Sequence, residues 1–271
     1  MKHFIFLTLT FLILIACSGV GDGKNTNIPV EISAINPAGA GQLYTLHLRP
    51  GKAHNHPTFV VWLETADGEF IQTLYVTQAL ATGWFGHGDM GEGRWKAEPG
   101  LSVRRAALPY WLHKSGILIN GEGDMPAPEK PVADGFTGAT PKGEVFLNLK
   151  SDELPVLPYR LMLEVNQTWD WNPYWHNNKF PGDMDYKSSS QPALVYSVMI
   201  ESHDSGTIYH LNPIGHSHHS GKNGKLYTDL SSFTTALDIF RSITVRIGAV
   251  SYTHLRAHET VLDLVCRLLL E

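Results

Sequence analysis

A segment of small and hydroxyl-bearing residues carries the clearest chemical signal in the chain. It reads Asp134-Gly135-Phe136-Thr137-Gly138-Ala139-Thr140. The hydroxyl oxygen of Thr140 is a nucleophile that can form an ester, and Gly138 and Ala139 keep side-chain bulk away from it. Asp134 and Thr137 can hold such a loop through hydrogen bonds from their side chains to nearby backbone groups. The segment therefore predicts a threonine hydroxyl presented for covalent modification.

This spacing resembles the target motif of extracytoplasmic FMN transferases, which is Asp, two free positions, Ser or Thr, then Gly, Ala and Thr. In proteins with this motif, the hydroxyl of the last Thr is joined to the phosphate of FMN as a phosphodiester. The resemblance implies that Thr140 carries covalent FMN and that the other four fixed residues form the motif around it. The alternative is an unmodified turn that contains Gly-Ala-Thr.

Histidines form a second group of residues that could do chemistry. His216 and His218 lie in the segment IGHSHHSGKNG at residues 214–224, and His219 follows them. Neutral imidazoles bind Zn, Cu, Ni or Fe, and alternate residues of an extended chain face the same side. The pattern predicts His216 and His218 as ligands of a transition metal, although no third ligand stands at a fixed spacing. The alternative is an exposed polar loop, since Gly, Ser and Asn flank the histidines.

Residues 169–176 form an unusually aromatic run, Trp-Asp-Trp-Asn-Pro-Tyr-Trp-His. These side chains could cover one face of an isoalloxazine ring, but aromatic residues more often fill a packed loop or the edge of a core. The sequence contains no Gly-x-Ser-x-Gly motif, Cys-His pair or phosphate-binding loop. We therefore expect a redox carrier, in which a flavin supplies the electron chemistry, rather than an enzyme with its own substrate.

Short apolar or alternating runs between turn residues dominate the middle of the chain. They predict eight strands, at Leu43–Leu48, Thr58–Glu64, Phe70–Val76, Glu144–Leu149, Tyr159–Asn166, Ala193–Glu201, Thr207–Leu211 and Ile243–Ile247. The strongest helical pattern, Val103–His113, is interrupted by Pro109. We therefore predict one all-β domain over residues 30–249, an immunoglobulin-like β-sandwich with long loops at residues 83–101 and 119–143.

Residues 1–16 have the proportions of an export signal, with a positive charge near the start and an apolar run too short for a comfortable membrane span. The run ends in Leu-Ile-Ala-Cys17, which resembles a bacterial lipobox and implies cleavage before Cys17 and lipidation of its thiol. Because Ser18 follows, the resemblance to Gram-negative lipoproteins implies a periplasm-facing protein of the outer membrane. Residues 17–29 predict a flexible tether. The alternative is an ordinary signal peptide without lipidation.

Residues 250–271 break with the pattern of the rest of the chain. Their codons can be read in one frame as a sequencing-library adapter, a variable index and a flow-cell primer, so the segment resembles translated adapter sequence. We expect an artefact rather than protein, although Leu and Val at helical spacing would also fit a helix. This removes Cys266 from the count of two cysteines. Cys17 then stands alone, so we expect neither a disulfide nor a thiolate metal site.

The composition limits the class of protein. Of 271 residues, 43% are hydrophobic and 17% are charged, and the formal net charge is −5. Such a chain can bury a core, which excludes global disorder. The sequence contains no basic cluster, which argues against a nucleic-acid partner.

Four stretches resemble the predicted periplasmic proteins of domain-of-unknown-function family 2271. They are TFVVWLETADGEFIQTLYV at residues 58–76, the Trp-, Arg- and Leu-rich stretch around Arg104, Arg105 and Trp111, DGFTGATPKG at residues 134–143, and PYRLMLEVN at residues 158–166. The resemblance covers roughly residues 41–248, with gaps. It implies an extracytoplasmic β-sandwich without established biochemistry.

Together these patterns predict a lipid-anchored flavoprotein that transfers electrons outside the cytoplasm. Its expected partners are an FMN transferase, a membrane electron-transfer protein and the membrane itself through the lipid. One alternative is a non-redox binding lipoprotein that holds a metal or small ligand through His216, His218 and the aromatic run. Another is a structural surface lipoprotein without a ligand.

Overall fold

The computed structural model describes residues 29–34, 36, 39–132, 136–138, 140 and 142–249. The predicted signal, Cys17 with nearly all of the tether, and residues 250–271 lie outside these ranges. Asp134 and Ala139 of the threonine motif also lie outside them. What the sequence predicts for these residues therefore stays a prediction.

The described residues form thirteen β-strands, three α-helices and one 3-10 helix. The strands are β1 (Val30–Ala34), β2 (Leu43–Pro50), β3 (Thr58–Thr65), β4 (Phe70–Thr77), β5 (Trp84–Phe85), β6 (Gly100–Leu101), β7 (Phe136–Gly138), β8 (Val145–Lys150), β9 (Tyr159–Asn166), β10 (Leu194–Ile200), β11 (Ile208–His210), β12 (Asn212–His216) and β13 (Phe240–Ile247). The helices are α1 (Gln78–Thr82), α2 (Pro109–Lys114), α3 (Met184–Ser189) and the 3-10 helix Thr235–Asp238. Each of the eight predicted strands corresponds to one of these strands, while the short strands β1, β5, β6, β7 and β12 were not predicted.

Two sheets form the body of the protein. One has the strand order β1-β8-β2-β13-β11 and the other β12-β10-β9-β3-β4-β7, while β5 and β6 pair separately. Neighbouring strands run antiparallel except for the parallel pairs β1–β8 and β4–β7. Apolar side chains from both sheets, such as Leu46 and Leu163, belong to one buried cluster. The prediction of an all-β sandwich is confirmed.

The six-stranded sheet is buried on its second face as well. There Trp62 of β3 and Met162 of β9 pack with Leu108 and Trp111, at the start of α2. Burial on both faces explains why β3 is a nearly unbroken apolar run rather than an alternating one.

Helix α2 overlaps only the second half of the predicted helix Val103–His113 and ends one residue beyond it, at Lys114. Pro109 does not interrupt it; it occupies the first turn, where a missing backbone N–H costs no helical hydrogen bond. None of the helices in the described part of the chain is long and apolar enough to cross a membrane.

Candidate functional site

The threonine motif extends the edge of the six-stranded sheet, where the sequence predicted a loop. Its strand β7 pairs in parallel with the end of β4, and Gly138 lies opposite Thr77. A Cβ atom on Gly138 would lie 2.8 Å from the hydroxyl oxygen of Tyr75, which is fully buried. Glycine is therefore required at position 138 because the strand packs directly on the tyrosine ring. Strand β7 ends at Gly138, two residues before Thr140.

Thr140 lines a cleft of about 450 Å³ at this end of the six-stranded sheet. Strands β4, β7 and β9 end at this edge and β3 begins there, so residues distant in sequence meet. The other walls come from the approach to β3, from α1, from β5 and the loop after it, from Arg104, and from Thr168 and Trp169 after β9. The volume lies within the range of about 300–1,000 Å³ that small-molecule sites occupy. Thr140 itself is partly exposed.

Arg104 places a buried positive charge in the wall of this cleft. Its side chain is only 5% exposed, and the guanidinium carbon lies 4.1 Å from the centre of the Phe85 ring. The guanidinium donates hydrogen bonds to Ser102 Oγ (3.2 Å), Thr168 Oγ1 (2.8 Å) and the His87 carbonyl oxygen (3.4 Å). All three acceptors are neutral, so they orient the charge without cancelling it.

Within the described part of the chain, no carboxylate forms an ion pair with Arg104. Burial lowers the pKa of Arg104 to about 10, and the negative charge of the exposed Asp89 opposes that shift. The side chain therefore stays protonated at neutral pH. A buried cation without a contacting anion is costly, which makes this cleft suited to a negatively charged ligand.

Trp169 forms an aromatic wall of the cleft. Its side chain is 43% exposed and meets the ring of His87 edge-on, with 4.8 Å between ring centres. Trp169 has φ 62° and His56, another residue of the cleft, has φ 53°. Non-glycine residues rarely adopt such left-handed backbone, and it is concentrated at functional sites.

The structure divides the aromatic run 169–176. Trp169 faces the cleft, whereas Trp171 and Trp175 pack on Tyr186 of α3 with ring centres 5.7 and 6.4 Å apart. Two of the three tryptophans of the run therefore pack against the core, whereas Trp169 lines the cleft and Tyr174 is exposed.

The histidines belong to a separate aromatic cluster. His216 ends β12 and stacks on Tyr227, with 5.3 Å between ring centres. His218 stacks on His219 at 4.2 Å, and His219 stacks on Phe180 at 4.1 Å. Burial lowers the pKa of all three histidines, for His219 to about 4, so the rings are neutral at pH 7.

No group of three or more His, Cys, Asp or Glu side chains suited to holding a metal ion occurs among the residues that the structure describes. The Nδ1 atom of His216 lies 2.8 Å from the Ser217 carbonyl oxygen, and that of His218 accepts the backbone N–H of Ser220 at 3.2 Å. These bonds occupy one ring nitrogen of each histidine. The metal prediction for His216 and His218 therefore finds no third ligand in this part of the chain.

Strand register separates the histidines from the threonine cleft. His216 pairs with Leu194 on β10, at one edge of the six-stranded sheet, and Gly138 lies on β7 at the opposite edge. Five spacings of about 4.8 Å, or roughly 24 Å, lie between the two edge strands. The two predicted sites are therefore distinct, and His216 and His218 do not line the cleft of Thr140.

The sequence did not predict that Phe85, His87 and Arg104 meet beside Thr140 and Trp169. Arg104 belongs to a stretch that resembles family 2271, but no motif places it beside the other two, and the fold brings all three to the cleft. Comparison with protein-family models, with curated proteins and with solved structures found no match to the chain. The resemblance to family 2271 therefore stays a prediction, and the function has to be argued from the cleft.

Proposed function

We propose that this protein carries FMN joined covalently to Thr140 and transfers electrons outside the cytoplasm, held at the membrane by a lipid on Cys17. One observation carries the proposal: Thr140, the last residue of the motif, lines a cleft that also contains aromatic side chains and the buried Arg104. An ordinary surface turn gives no reason for its threonine to face such a cleft.

The residues of the cleft fit the chemistry of FMN. The flavin ring is flat and aromatic, and the Phe85 and Trp169 side chains offer aromatic surface beside Thr140. The flavin ring gains a negative charge when it is reduced, and the Arg104 guanidinium has no contacting carboxylate in the described part of the chain. The cleft volume of about 450 Å³ suits a ligand of this size.

Attachment requires an activated flavin phosphate of the phosphoanhydride class and a transferase. The Thr140 Oγ–P bond forms as the bridging P–O bond of the anhydride breaks, and the leaving phosphate takes the bonding electrons. The hydroxyl proton passes to a base of the transferase. The partial exposure of Thr140 supports access of the transferase to this hydroxyl.

The bound flavin would supply the electron chemistry, and the protein supplies attachment, shielding from water and a fixed charge. Thr140 keeps the cofactor from diffusing away, which matters outside the cytoplasm. Phe85 and Trp169 shield part of the ring from water, and Arg104 provides a fixed charge.

Mass spectrometry tests the proposal on mature protein produced with an FMN transferase. We expect the peptide containing Thr140 to carry the mass of FMN, and Thr140→Ala to lose both this mass and the visible flavin absorbance. Thr137→Ser is the matched control, because the motif accepts Ser or Thr at that position, so it should keep the flavin. A Thr140 peptide without FMN, in cells that contain the transferase, would refute the proposal.

A further inference from the structure

Thr140 and Thr168 mark opposite ends of the cleft. Thr140 follows β7 by two residues and Thr168 follows β9 by two, and both strands end at the same edge of the sheet. The strand order between them is β9-β3-β4-β7, with Thr58 opposite Asn166 and Thr77 opposite Gly138. Three spacings of about 4.8 Å, or roughly 14 Å, therefore separate Gly138 from Asn166, the strand ends from which Thr140 and Thr168 follow.

The Arg104 guanidinium lies at the Thr168 end, because its Nη1 atom donates to Thr168 Oγ1 at 2.8 Å. A guanidinium has five N–H groups, and three of them donate to Ser102, Thr168 and His87. One N–H on each terminal nitrogen therefore has no partner among the described residues. These two N–H groups can donate to acceptor atoms of a ligand.

A phosphate bonded to Thr140 would be held on the β7 side of the cleft, and the ring of an extended flavin would lie towards Arg104. We infer that Arg104 recognises the polar edge of the flavin ring, at N1 and the neighbouring carbonyl oxygen, rather than the phosphate. This inference rests on the proposed function for the identity of the ligand. It makes Arg104 the residue that orients the ring within the cleft.

The same contact would change the reduction potential of the flavin. A flavin ring that takes up two electrons and one proton gains one negative charge, delocalised over N1 and the carbonyl oxygen beside it. A buried cation at this edge favours the reduced ring, because attraction between charges is stronger in a low-dielectric site. The electrons would come from the membrane donor of the proposed function. Arg104 therefore raises the reduction potential of the flavin.

The reduction potential of the flavin-loaded protein, followed by its visible spectrum, tests this role. We expect Arg104→Gln to shift the potential to a more negative value, and Arg104→Lys to shift it less, because lysine keeps the charge but not the paired N–H groups. Arg105→Gln is the matched control. The positive charge of Arg105 lowers the pKa of Asp185, and its side chain does not line the cleft. An unchanged potential in Arg104→Gln would overturn the inference.

A second measurement uses protein that cannot be modified, so that it does not depend on covalent attachment. Riboflavin, which lacks the phosphate, and FMN are titrated into Thr140→Ala protein, and quenching of flavin fluorescence reports binding. We expect Arg104→Gln in this background to weaken both ligands about tenfold, the loss of roughly one hydrogen bond to a charged group. Circular dichroism verifies that each variant is folded, and Arg104→Lys serves if Arg104→Gln is not.

The outcomes distinguish the role of Arg104 from the proposed attachment of FMN to Thr140. If only FMN binding weakens, Arg104 contacts the phosphate and the inference is wrong. Absence of saturable riboflavin binding by the Thr140→Ala protein also overturns it. A Thr140 peptide without FMN rejects the proposed function, while the riboflavin titration still decides whether Arg104 recognises the ring.

Discussion

The carboxyl group of Glu164 accepts a hydrogen bond of 2.8 Å from the backbone N–H of Trp111. Its other oxygen accepts the N–H of Tyr110 at 3.1 Å, so a fully buried side chain of β9 binds the first turn of α2. The first N–H groups of a helix have no partner within the helix, and Glu164 supplies one. This contact joins α2 to the six-stranded sheet and fixes the segment before it, which contains Arg104.

Replacing Glu164 by Gln should lower stability. The amide nitrogen cannot accept a hydrogen bond, so one buried N–H of α2 loses its partner at a cost of about 1–3 kcal/mol. Urea denaturation of the parent and Glu164→Gln proteins measures the difference in unfolding free energy. Glu129→Gln, at an exposed position, is the matched control and should stay within about 0.5 kcal/mol of the parent. Equal midpoints for the parent and Glu164→Gln would contradict this role.

Stability should fall as pH rises through neutrality. Burial raises the pKa of Glu164 from 4.5 to about 8, while hydrogen bonds from Trp111, Tyr110 and Ser217 oppose that shift. The folded state therefore binds more protons than the unfolded state between these values, and stability present below pH 4.5 is lost up to about pH 8.

The window from about pH 7.5 to 8.5 isolates this effect, because it lies a full pH unit or more above the ordinary histidine pKa of about 6.5, so the buried histidines are neutral in both states there. The unfolding free energy, measured by urea denaturation across this window, should decline in the parent. The decline is at most about 1.4 kcal/mol per pH unit for one proton. The unfolding free energy should be nearly flat in Glu164→Gln, which cannot titrate. A parallel decline in both proteins would assign the effect to other groups.

His219 should have the opposite effect from Glu164 on the pH dependence of stability, and at acidic pH. Burial is the main cause that lowers its pKa from 6.5 to about 4, and its ring stacks on Phe180. The folded state then binds fewer protons than the unfolded state, so stability is lost as pH falls from 6.5 towards 4. His219→Phe keeps a stacked ring without titration and should lose less stability over this range. Thermal denaturation at pH 7 and pH 4.5 measures the loss, and the exposed His210→Gln should behave like the parent.

The local sequence pattern is sufficient to predict the long strands but not the residues that meet in the cleft. β3, β4 and β9 are eight residues each, and their apolar and β-branched composition predicts them directly. β7 has three residues and exists because it pairs in parallel with β4, a contact that no local pattern encodes. The same holds for Arg104, whose acceptors lie two, seventeen and sixty-four residues away in the chain. The Thr140 motif is visible in the sequence because its residues are contiguous, whereas the cleft around Thr140 depends on the whole sheet.

The contact between Gly138 and Tyr75 provides a test of how the sheet edge holds the threonine motif. In Gly138→Ala the new Cβ would lie 2.8 Å from the tyrosine hydroxyl oxygen and 3.1 Å from Cε2, so the buried ring or β7 must move. We expect a loss of about 1–3 kcal/mol in urea denaturation, typical of overpacking, together with less FMN on Thr140.

Tyr75→Phe combined with Gly138→Ala should recover part of this loss, because the nearest clashing atom is removed while the ring remains. A double-mutant cycle with the two single variants isolates the contribution of the contact from the other effects of changing Tyr75. Additive losses would mean that the new Cβ at position 138 does not meet the Tyr75 hydroxyl as the packing of β7 on this ring requires. Recovery of stability together with FMN mass on Thr140 would link the packing of this edge to the presentation of the hydroxyl.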